Sequence, residues 1–323
     1  MRRIRHILVV IKNPAAVVLP AVAKSAQLAY ALGADLTLFQ AVSSPLPASE
    51  EFPPRHLILR ALDYEACLKA IALRLRRRGI RVSISALSGQ PPDEAILHEA
   101  ARVGADLIVA DAHAPGNRSA DAMGPSDWDL LSRSPIPVLL VKNPGPYRRP
   151  KVLAALDPDH TFDKPVSLDA EIVALGAIVS EALNGVLHAV HAYAPVSIDD
   201  QARGTSALSA LAVAQSRAEE TAAKKLALAT RGMGIPKSRR HILGRHVPDA
   251  IEQVARETKS AIVVMGAVAR SGLWQLLIGN TAERVLGQLP SDILLVKPSA
   301  QTKRARRARV AALSTPSPLP AGT

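Results

Sequence analysis

Scarcities of three kinds limit what this chain of 323 residues can do. The single cysteine, Cys67, excludes an intramolecular disulfide and any cysteine-built zinc site, and it suits a reducing compartment. Aromatic residues make up only 3% of the chain, too few for a surface that stacks successive nucleotide bases. No run of about 18 apolar residues occurs, so we expect no membrane-spanning helix and a cytoplasmic protein.

The first residues, MRRIRHILVVI, imitate a secretory signal peptide because a basic start precedes an apolar run. That run reaches Lys12, Asn13 and Pro14 after five apolar residues, whereas the apolar region of a signal peptide has about 7–15 residues. A short, β-branched run is more typical of a buried first strand, which we expect here.

Positive charge is concentrated at the C-terminal end. Of the net charge of +12, five charges lie after residue 298, where there is no acidic residue and a stretch rich in Pro and Ser follows. This composition predicts a disordered basic tail, 299–323. We favour a solubilising terminus, and weak, non-specific contact with nucleic acid or anionic lipid is the alternative.

The remainder of the chain contains one unit twice. The segment PIPVLLVKN returns as PSDILLVKP, and a shift of 155 residues aligns 89–143 with 244–298 without a gap, with 14 of 55 positions identical. A shift of 145 aligns the openings, HILVVIK and KVLAALD. A period this long indicates duplicated domains, a first copy at 1–143 and a second copy at 144–298.

Each copy alternates short runs of Val, Ile and Leu with amphipathic stretches. This alternation is typical of a parallel sheet covered on both faces, which binds ligands beyond the carboxyl ends of its strands. The loops after strands one and four of each copy are therefore the candidate sites. Strands are predicted near 5–12, 34–42, 80–87, 105–111, 137–142, 151–157, 185–193, 239–244, 260–266 and 291–297. Helices of the second copy are predicted near 165–183, 205–231, 248–258 and 280–289.

The loop after strand four of the second copy has features of a phosphate-binding loop. Gly266 starts it, and Gly279-Asn280-Thr281 open the next predicted helix. Glycine lets a backbone approach phosphate closely, amides at a helix start face an anion, and Arg270 supplies a forked donor. The plain alternative is a long loop that ends in a good helix cap at Asn280 or Thr281.

These residues resemble those of a known family, the universal stress protein superfamily. Its nucleotide-binding members carry a G-x2-G-x9-G-(S/T) motif, which is matched here by Gly266, Ala269, Gly279 and Asn280. Tandem members are closer still, since they share a GNTAE-like helix start, here at 279–283, and a PTDWHLL-like stretch, here PSDWDLL at 125–131. The resemblance spans residues 4–298.

The resemblance implies an α/β fold of two tandem Rossmann-like domains. Each would be a five-stranded parallel sheet of order 3-2-1-4-5 with helices on both faces. Family members also pair through the fifth strand, so the two copies would form an intramolecular pseudo-dimer through 138–142 and 293–297. An apolar sheet edge needs such a cover. The alternative is that each of these strands is buried within its own sheet.

The resemblance also implies where a nucleotide would bind in the second copy. Asp157, at the end of strand one, would hold the ribose, while Met265 and Val190 would flank the base. The ligand would be ATP, with magnesium, or a related nucleotide. Its phosphates would be held by Gly266, Gly279 and the amides of Asn280 and Thr281.

Departures from the family motif predict that this binding is weak. If position 269 needs a positive φ, alanine costs about 1–2 kcal/mol there, and Asn280 offers an amide where the family has a hydroxyl. The first copy departs further. It has Lys12 for the aspartate, Asp111 for the first glycine, and Pro125, which lacks an N–H, after the last. We expect the first copy not to bind nucleotide in the family manner.

No catalytic or metal-binding constellation accompanies these motifs. His188 and His191 are three residues apart on a predicted strand, so they should point to opposite faces and serve structural roles. Ser271 lacks a nucleophile elbow, and His246 has no carboxylate at motif spacing that would make it a base. Packing roles are predicted for Trp128, Trp274 and Cys67, the last as a buried helix residue.

We therefore predict a stress-response protein that binds a nucleotide weakly in its second copy. Dedicated catalysis is not expected, and any ATP hydrolysis would be incidental. The alternative is an interaction or carrier protein that holds an apolar ligand or a protein partner, which the apolar residues of 273–278 allow. An adenylating enzyme is disfavoured because no catalytic constellation is present. A homodimer of the whole chain stays open beside the pseudo-dimer.

Overall fold

A computed structural model describes residues 3–42, 55–88, 91–112, 125–159, 167–195, 205–266 and 289–298. The strands β1 to β10 are His6–Val10, Asp35–Val42, Val82–Ser88, Leu107–Asp111, Val138–Val141, Lys151–Leu156, Val186–Tyr193, Arg240–Gly244, Ile262–Gly266 and Asp292–Val296. The helices α1 to α7 are Pro20–Leu32, Arg55–Arg76, Pro92–Arg102, Pro125–Arg133, Ser167–Ala182, Thr205–Ala229 and Val247–Thr258. A 3-10 turn, Lys237–Arg239, precedes β8.

All ten predicted strands are present, and they form one continuous sheet. Its order is β3-β2-β1-β4-β5-β10-β9-β6-β7-β8, so each copy has the order 3-2-1-4-5 that the resemblance implies. Neighbouring strands are parallel except at the centre, where β5 and β10 run antiparallel with Leu139 opposite Leu294. The pseudo-dimer is confirmed, and the alternative of fifth strands buried within separate sheets is wrong.

The sheet is covered by helices on both faces, as continuous apolar strands require. One face, which we call the first face, packs against α1, α2, α5 and α6. The second face packs against α3, α4 and α7, and Trp128 contributes to this core as predicted. Alternate residues of one strand therefore enter different cores, as Ala189 does in the first face and Val190 in the second.

The lysines that the two copies share make equivalent contacts across the junction. Lys142 Nζ donates to the carbonyl of Leu289, and Lys297 Nζ donates to the carbonyl of Ser132, in the last turn of α4. A cation at a helix end stabilises the unpaired carbonyls there. The identity of these two lysines in the repeat thus has a structural cause, because each joins its own fifth strand to the other copy.

One sequence expectation is wrong, and several others fall on residues that the structure does not describe. Cys67 lies on α2 but is only half-buried, so the prediction of a buried residue is wrong. Residues 280–288 of the helix predicted near 280–289, residues 271–278 with Trp274, and the tail 299–323 lie outside the described residues. The domain boundaries themselves stay predictions. Among the helices that are described, none combines the length and the apolarity that crossing a membrane requires.

Candidate functional site

The candidate site of the second copy lies where β6 and β9 end side by side. These strands are parallel neighbours, with Ala154 opposite Val264. Asp157 directly follows β6, while Met265 and Gly266 are the last residues of β9. The fold therefore brings the predicted ribose and phosphate positions together at the carboxyl ends of the strands, where open α/β sheets bind their ligands.

Packing at position 266 leaves little room for a side chain, independently of any ligand. A Cβ atom at this position would lie 2.8 Å from Cδ2 of Leu168 and 3.1 Å from Cδ1 of Ile172. Both neighbours belong to α5, whose first turn is pressed against the end of β9. The glycine thus lets a helix N-terminus approach the strand end, which is the arrangement that anion sites use.

Asp157 is positioned through its backbone by an acid of the same helix. Its N–H donates to Oδ1 of Asp169 at 3.2 Å, and Asp169 is 5% exposed in the first turn of α5. A carboxylate in that turn also suits the positive end of the helix dipole. The half-buried Asp157 is therefore held at the strand end with its backbone fixed.

Met265 and Val190 face the same side of the sheet but are not open to solvent. Met265 is 5% exposed and Val190 1%, and both lie in the core beneath α7. They are therefore core residues next to the site rather than an exposed wall of it. The next residue of β7 on that face, Ala192, is half-buried and lies nearer the strand end. Ala269, Arg270, Gly279, Asn280 and Thr281 lie outside the described residues, so their roles stay predictions.

In the first copy, a carboxylate takes the place that Gly266 has in the second. Asp111 ends β4 and its Oδ1 accepts the N–H of Ala21, in the first turn of α1, at 2.9 Å. Burial raises the pKa of Asp111 to about 6, against the lowering effects of the Ala21 hydrogen bond and of Lys12 and Lys24. The first copy therefore supplies its own anion at the helix N-terminus.

Sequence reasoning identified Asp111 as a missing glycine but not as a helix cap. The N-cap residue of α1, Leu19, makes no side-chain hydrogen bond to the helix. An apolar residue at that position leaves the first N–H groups in need of an acceptor. The lack of a local cap at the start of α1 was the one local signal that a distant side chain would accept a hydrogen bond from its first N–H groups.

The histidines of β7 do point to opposite faces, and each meets a partner that their spacing did not indicate. On the first face, His191 is 1% exposed with Nε2 3.4 Å from Oδ2 of Asp159, which also binds Lys225 of α6. On the second face, His188 Nδ1 lies 3.0 Å from Nε2 of His241 in β8, so one nitrogen donates and the other accepts.

The His188–His241 pair carries little positive charge at neutral pH. Burial lowers the pKa of His188 to about 4, helped by the neighbouring His241, Lys151 and Arg239. Burial also lowers the pKa of His241, although Glu257 opposes this. Across the described residues, no group of three or more His, Cys, Asp or Glu could hold a metal ion.

Comparisons with known proteins agree with this architecture. The model of the universal stress protein family matches residues 3–142 and again residues 151–297. Universal stress protein E of Escherichia coli K12 is 28% identical over 235 residues, which cover 68% of this chain and 69% of that protein. A homologue of universal stress protein E from Haemophilus influenzae is 33% identical over 181 residues, 54% of this chain and 56% of that protein.

A solved structure gives the same overall arrangement. It comes from Pseudomonas aeruginosa UCBPP-PA14, bears the universal stress protein name and is 27% identical. It covers 95% of this chain and 98% of its own, with a TM-score of 0.72. The chain spans little more than half the length of the Haemophilus relative, so what those whole proteins do is not transferred with the fold.

Proposed function

The chain belongs to the universal stress protein family, with the family domain twice in tandem, and on that premise we propose that its second copy binds ATP or a related nucleotide weakly. The ligand lies at the carboxyl ends of β6 and β9. The role is that of a stress-response protein that binds and releases the nucleotide without dedicated turnover.

The contrast between Asp111 and Gly266 carries this proposal. These residues occupy equivalent positions at the end of strand four, 155 residues apart. In the first copy the carboxylate of Asp111 accepts Ala21 N–H and would repel a phosphate. In the second copy Gly266 brings α5 against the strand end without adding a charge of its own. The two copies have therefore diverged at the position where an anion would be held.

Residues around the second-copy site support a nucleoside in the same place. Asp157 has a carboxylate that suits ribose hydroxyl groups, and its backbone is held by Asp169. Ala192, half-buried near the end of β7, would contact a base, while Met265 and Val190 lie in the core below it. Arg270 and the Gly279–Thr281 segment would complete the phosphate contacts, with magnesium bound through the phosphates.

Turnover is proposed to be slow and incidental. Hydrolysis needs a base within hydrogen-bond reach of the attacking water. The carboxylate of Asp169, close to Asp157, is 5% exposed, so water has little access to it. Hydrolysis without a positioned base lacks about 10²–10⁴-fold of the rate that such a base contributes.

The direct test is a titration of the full-length protein with ATP, with and without magnesium. Binding is measured by calorimetry and by the fluorescence of a labelled nucleotide. We expect saturable binding at high micromolar to millimolar ATP and negligible release of ADP. The Asp157→Asn variant should weaken binding, while Asp63→Asn, on the exposed surface of α2, should not. Absence of binding at millimolar ATP would remove the proposal, and rapid ADP release would contradict its non-catalytic part.

A second candidate role, binding of a partner or apolar ligand, is favoured by one observation in the first copy. The loop between β1 and α1 presents Val17 fully exposed and Val18 60% exposed, beside the end of the sheet where Lys12 lies. Exposed apolar residues at a ligand edge are typical of contact surfaces. Val17→Ser with Val18→Ser should lower retention on an apolar resin without altering ATP binding. Unchanged retention would dismiss this role.

A further inference from the structure

The ten-stranded sheet ends in two edge strands, β3 in the first copy and β8 in the second. Within the described part of the chain, β3 pairs only with β2 and β8 only with β7. An edge strand presents unpaired N–H and C=O groups that can pair with another chain, and proteins usually protect it. The two edges of this sheet differ in how they are protected.

The β3 edge is covered by side chains of its own copy. The N–H of Leu36 donates to the carbonyl of Arg81. Because successive carbonyls of a strand point to opposite sides, the carbonyl of Val82 points away from β2. Arg76 donates to this carbonyl from Nε at 3.0 Å and from Nη2 at 2.7 Å. Arg81 is itself paired with Asp35. The start of this edge is therefore closed, and Arg76 and Arg81 are engaged there.

The β8 edge lies instead in an open cleft of about 660 Å³. The cleft is lined by Ala223 and Ala227 of α6, which covers the first face, and by Val254 of α7, which covers the second. It therefore runs around the outside of β8, reaching both sides of the sheet. This volume falls within the range of about 300–1,000 Å³ typical of binding clefts.

Two residues that line this cleft each have one buried polar atom without a hydrogen-bond partner among the described residues. These atoms are the donor Arg240 Nε and the acceptor Gln253 Oε1. The Gln253 amide is oriented by Glu257, whose Oε1 accepts its Nε2 at 2.8 Å, and a carboxylate cannot donate to the other end of the amide. A buried donor and a buried acceptor without partners each cost about 1–3 kcal/mol. Neither atom is accessible to solvent, so a peptide in the cleft would satisfy them only if the two side chains turned toward it.

The charges along this edge select the kind of peptide. Lys237, Arg239, Arg240 and Arg245 lie within nine residues, and none forms an ion pair with an acid in the described ranges. Three acids line the cleft, Glu219, Glu220 and Glu257, and Glu220 pairs with Lys224. With Lys224 included, five cations at or beside the cleft stand against these three acids. The edge is therefore basic. It would repel the same edge of a second copy and attract an acidic chain.

We propose that the β8 edge is a docking site for an extended, acidic segment of a partner protein, which adds to the sheet as an eleventh strand. Its backbone pairs with the outward N–H and C=O groups of β8, and its acidic side chains pair with Arg240 and Lys237. Strand addition gives affinity through the main chain, and the side chains give specificity. This proposal is independent of nucleotide binding at the carboxyl ends of β6 and β9.

The competing explanation is that the cations only guard the edge against aggregation, as charged residues on edge strands do. A guard would exclude peptides of either charge, whereas a docking site discriminates between them. The full-length protein is therefore titrated with two fluorescent hexapeptides, Ac-VEVEVE-NH2 and Ac-VKVKVK-NH2. Binding is followed by anisotropy, and the location is followed by hydrogen exchange.

We expect the acidic peptide to bind at least about tenfold more tightly than the basic one, and to weaken as salt is raised. Backbone amides of 240–244 should gain protection, and those of 82–88 should not. Arg240→Glu should weaken the acidic peptide about tenfold. Arg78→Glu is the matched control, because it makes the same charge change on an exposed residue of the first copy and should have less than a twofold effect.

Equal binding of both peptides, or no binding of either, would overturn the proposal in favour of the guard. Protection that appears at 82–88, or equal weakening by Arg78→Glu, would also overturn it, since binding would then reflect total charge. Exchange at β6 and β7 in each variant verifies that the sheet is intact. Failure of this experiment would leave the ATP titration unaffected, because the two ligands use different parts of the second copy.

Discussion

Lys24 of α1 and Asp292 of β10 form an ion pair that joins the two copies at the centre of the molecule. Nζ lies 2.5 Å from Oδ2, and the side chains are 2% and 0% exposed. The hydroxyl of Tyr147 donates to the same oxygen at 2.6 Å. The aromatic ring of Tyr147 lies beneath the ammonium group, with its centre 4.6 Å from Lys24 Nζ. The other oxygen accepts two backbone N–H groups, those of Lys142 and Asn143. The carboxylate is thus paired and hydrogen-bonded, as a buried charge must be.

The first prediction concerns the loss of this carboxylate. Asp292→Asn places an amide against a buried ammonium group, which should lower the free energy of unfolding by about 3–5 kcal/mol. Tyr147→Phe removes only a hydrogen bond and should cost about 1–2 kcal/mol. Urea unfolding followed by circular dichroism measures both. The Lys24→Met, Asp292→Asn double variant should recover part of the loss, and a double variant that is no more stable than Asp292→Asn would refute the ion-pair explanation.

The second prediction follows from the raised pKa of Asp111, about 6 in the folded protein against a usual value of 3.8. The folded state holds this proton more tightly than the unfolded state does. The protonated carboxyl group of Asp111 therefore makes its full contribution to the free energy of unfolding below about pH 4. That contribution, about 3 kcal/mol, is lost as the pH rises through about 6.

Asp111→Asn tests this directly, because the amide keeps an acceptor for the Ala21 N–H and carries no charge. The variant should be more stable than the parent at pH 7 and about equally stable at pH 4, as measured by urea unfolding at each pH. Asp129→Asn, on an exposed position of α4, is the control. A stability difference between Asp111→Asn and the parent that does not change with pH would contradict the prediction.

The third prediction has the opposite sign and concerns His188. Its pKa is lowered to about 4 from 6.5, chiefly by burial, so the folded state excludes the proton that the unfolded state accepts. The stability that this exclusion provides is present above about pH 6.5 and is lost as the pH falls toward 4. We expect His188→Gln to reduce this acid-dependent loss by about 1–2 kcal/mol, less than the whole pKa displacement, because part of the ring reaches solvent.

His98→Gln serves as the control for His188, since His98 is exposed on α3. Unfolding free energies between pH 4 and 7 should differ in slope between the parent and His188→Gln but not between the parent and His98→Gln. NMR titration of the imidazole resonances should place the pKa of His188 at about 4, below its usual value of 6.5. Equal slopes for the two variants would remove the prediction.

The fourth prediction concerns the departure from the family motif at Ala269. If this position needs a positive φ, Ala269→Gly relieves about 1–2 kcal/mol and should tighten ATP binding about tenfold. Ala114→Gly makes the same change at the equivalent position of the first copy and should leave ATP binding unchanged. Calorimetric titration compares the two. Equal tightening in both variants would indicate a general loosening of the loops rather than a restored phosphate contact.

The sequence alone determined the repeat and the ten strands, and it predicted the end of the sheet at which a ligand would bind. Apolar runs such as 262–265 have a local cause, because a strand buried on both faces needs apolar side chains throughout its length. The motif resemblance supplied the strand order, and the equivalence of Asp111 and Gly266 was already visible from the repeat. These are features that short-range patterns and internal comparison can reveal.

Only the tertiary structure decided which distant groups meet. Lys24 and Asp292 are 268 residues apart, and His188 and His241 are 53 apart, so no spacing indicates either contact. The capping of α1 by Asp111 and the burial of Val190 beneath α7 likewise arise only when the elements pack. Periodicity reports which face of a strand or helix is apolar, whereas the partner of a charged or polar side chain depends on which elements the whole chain places side by side.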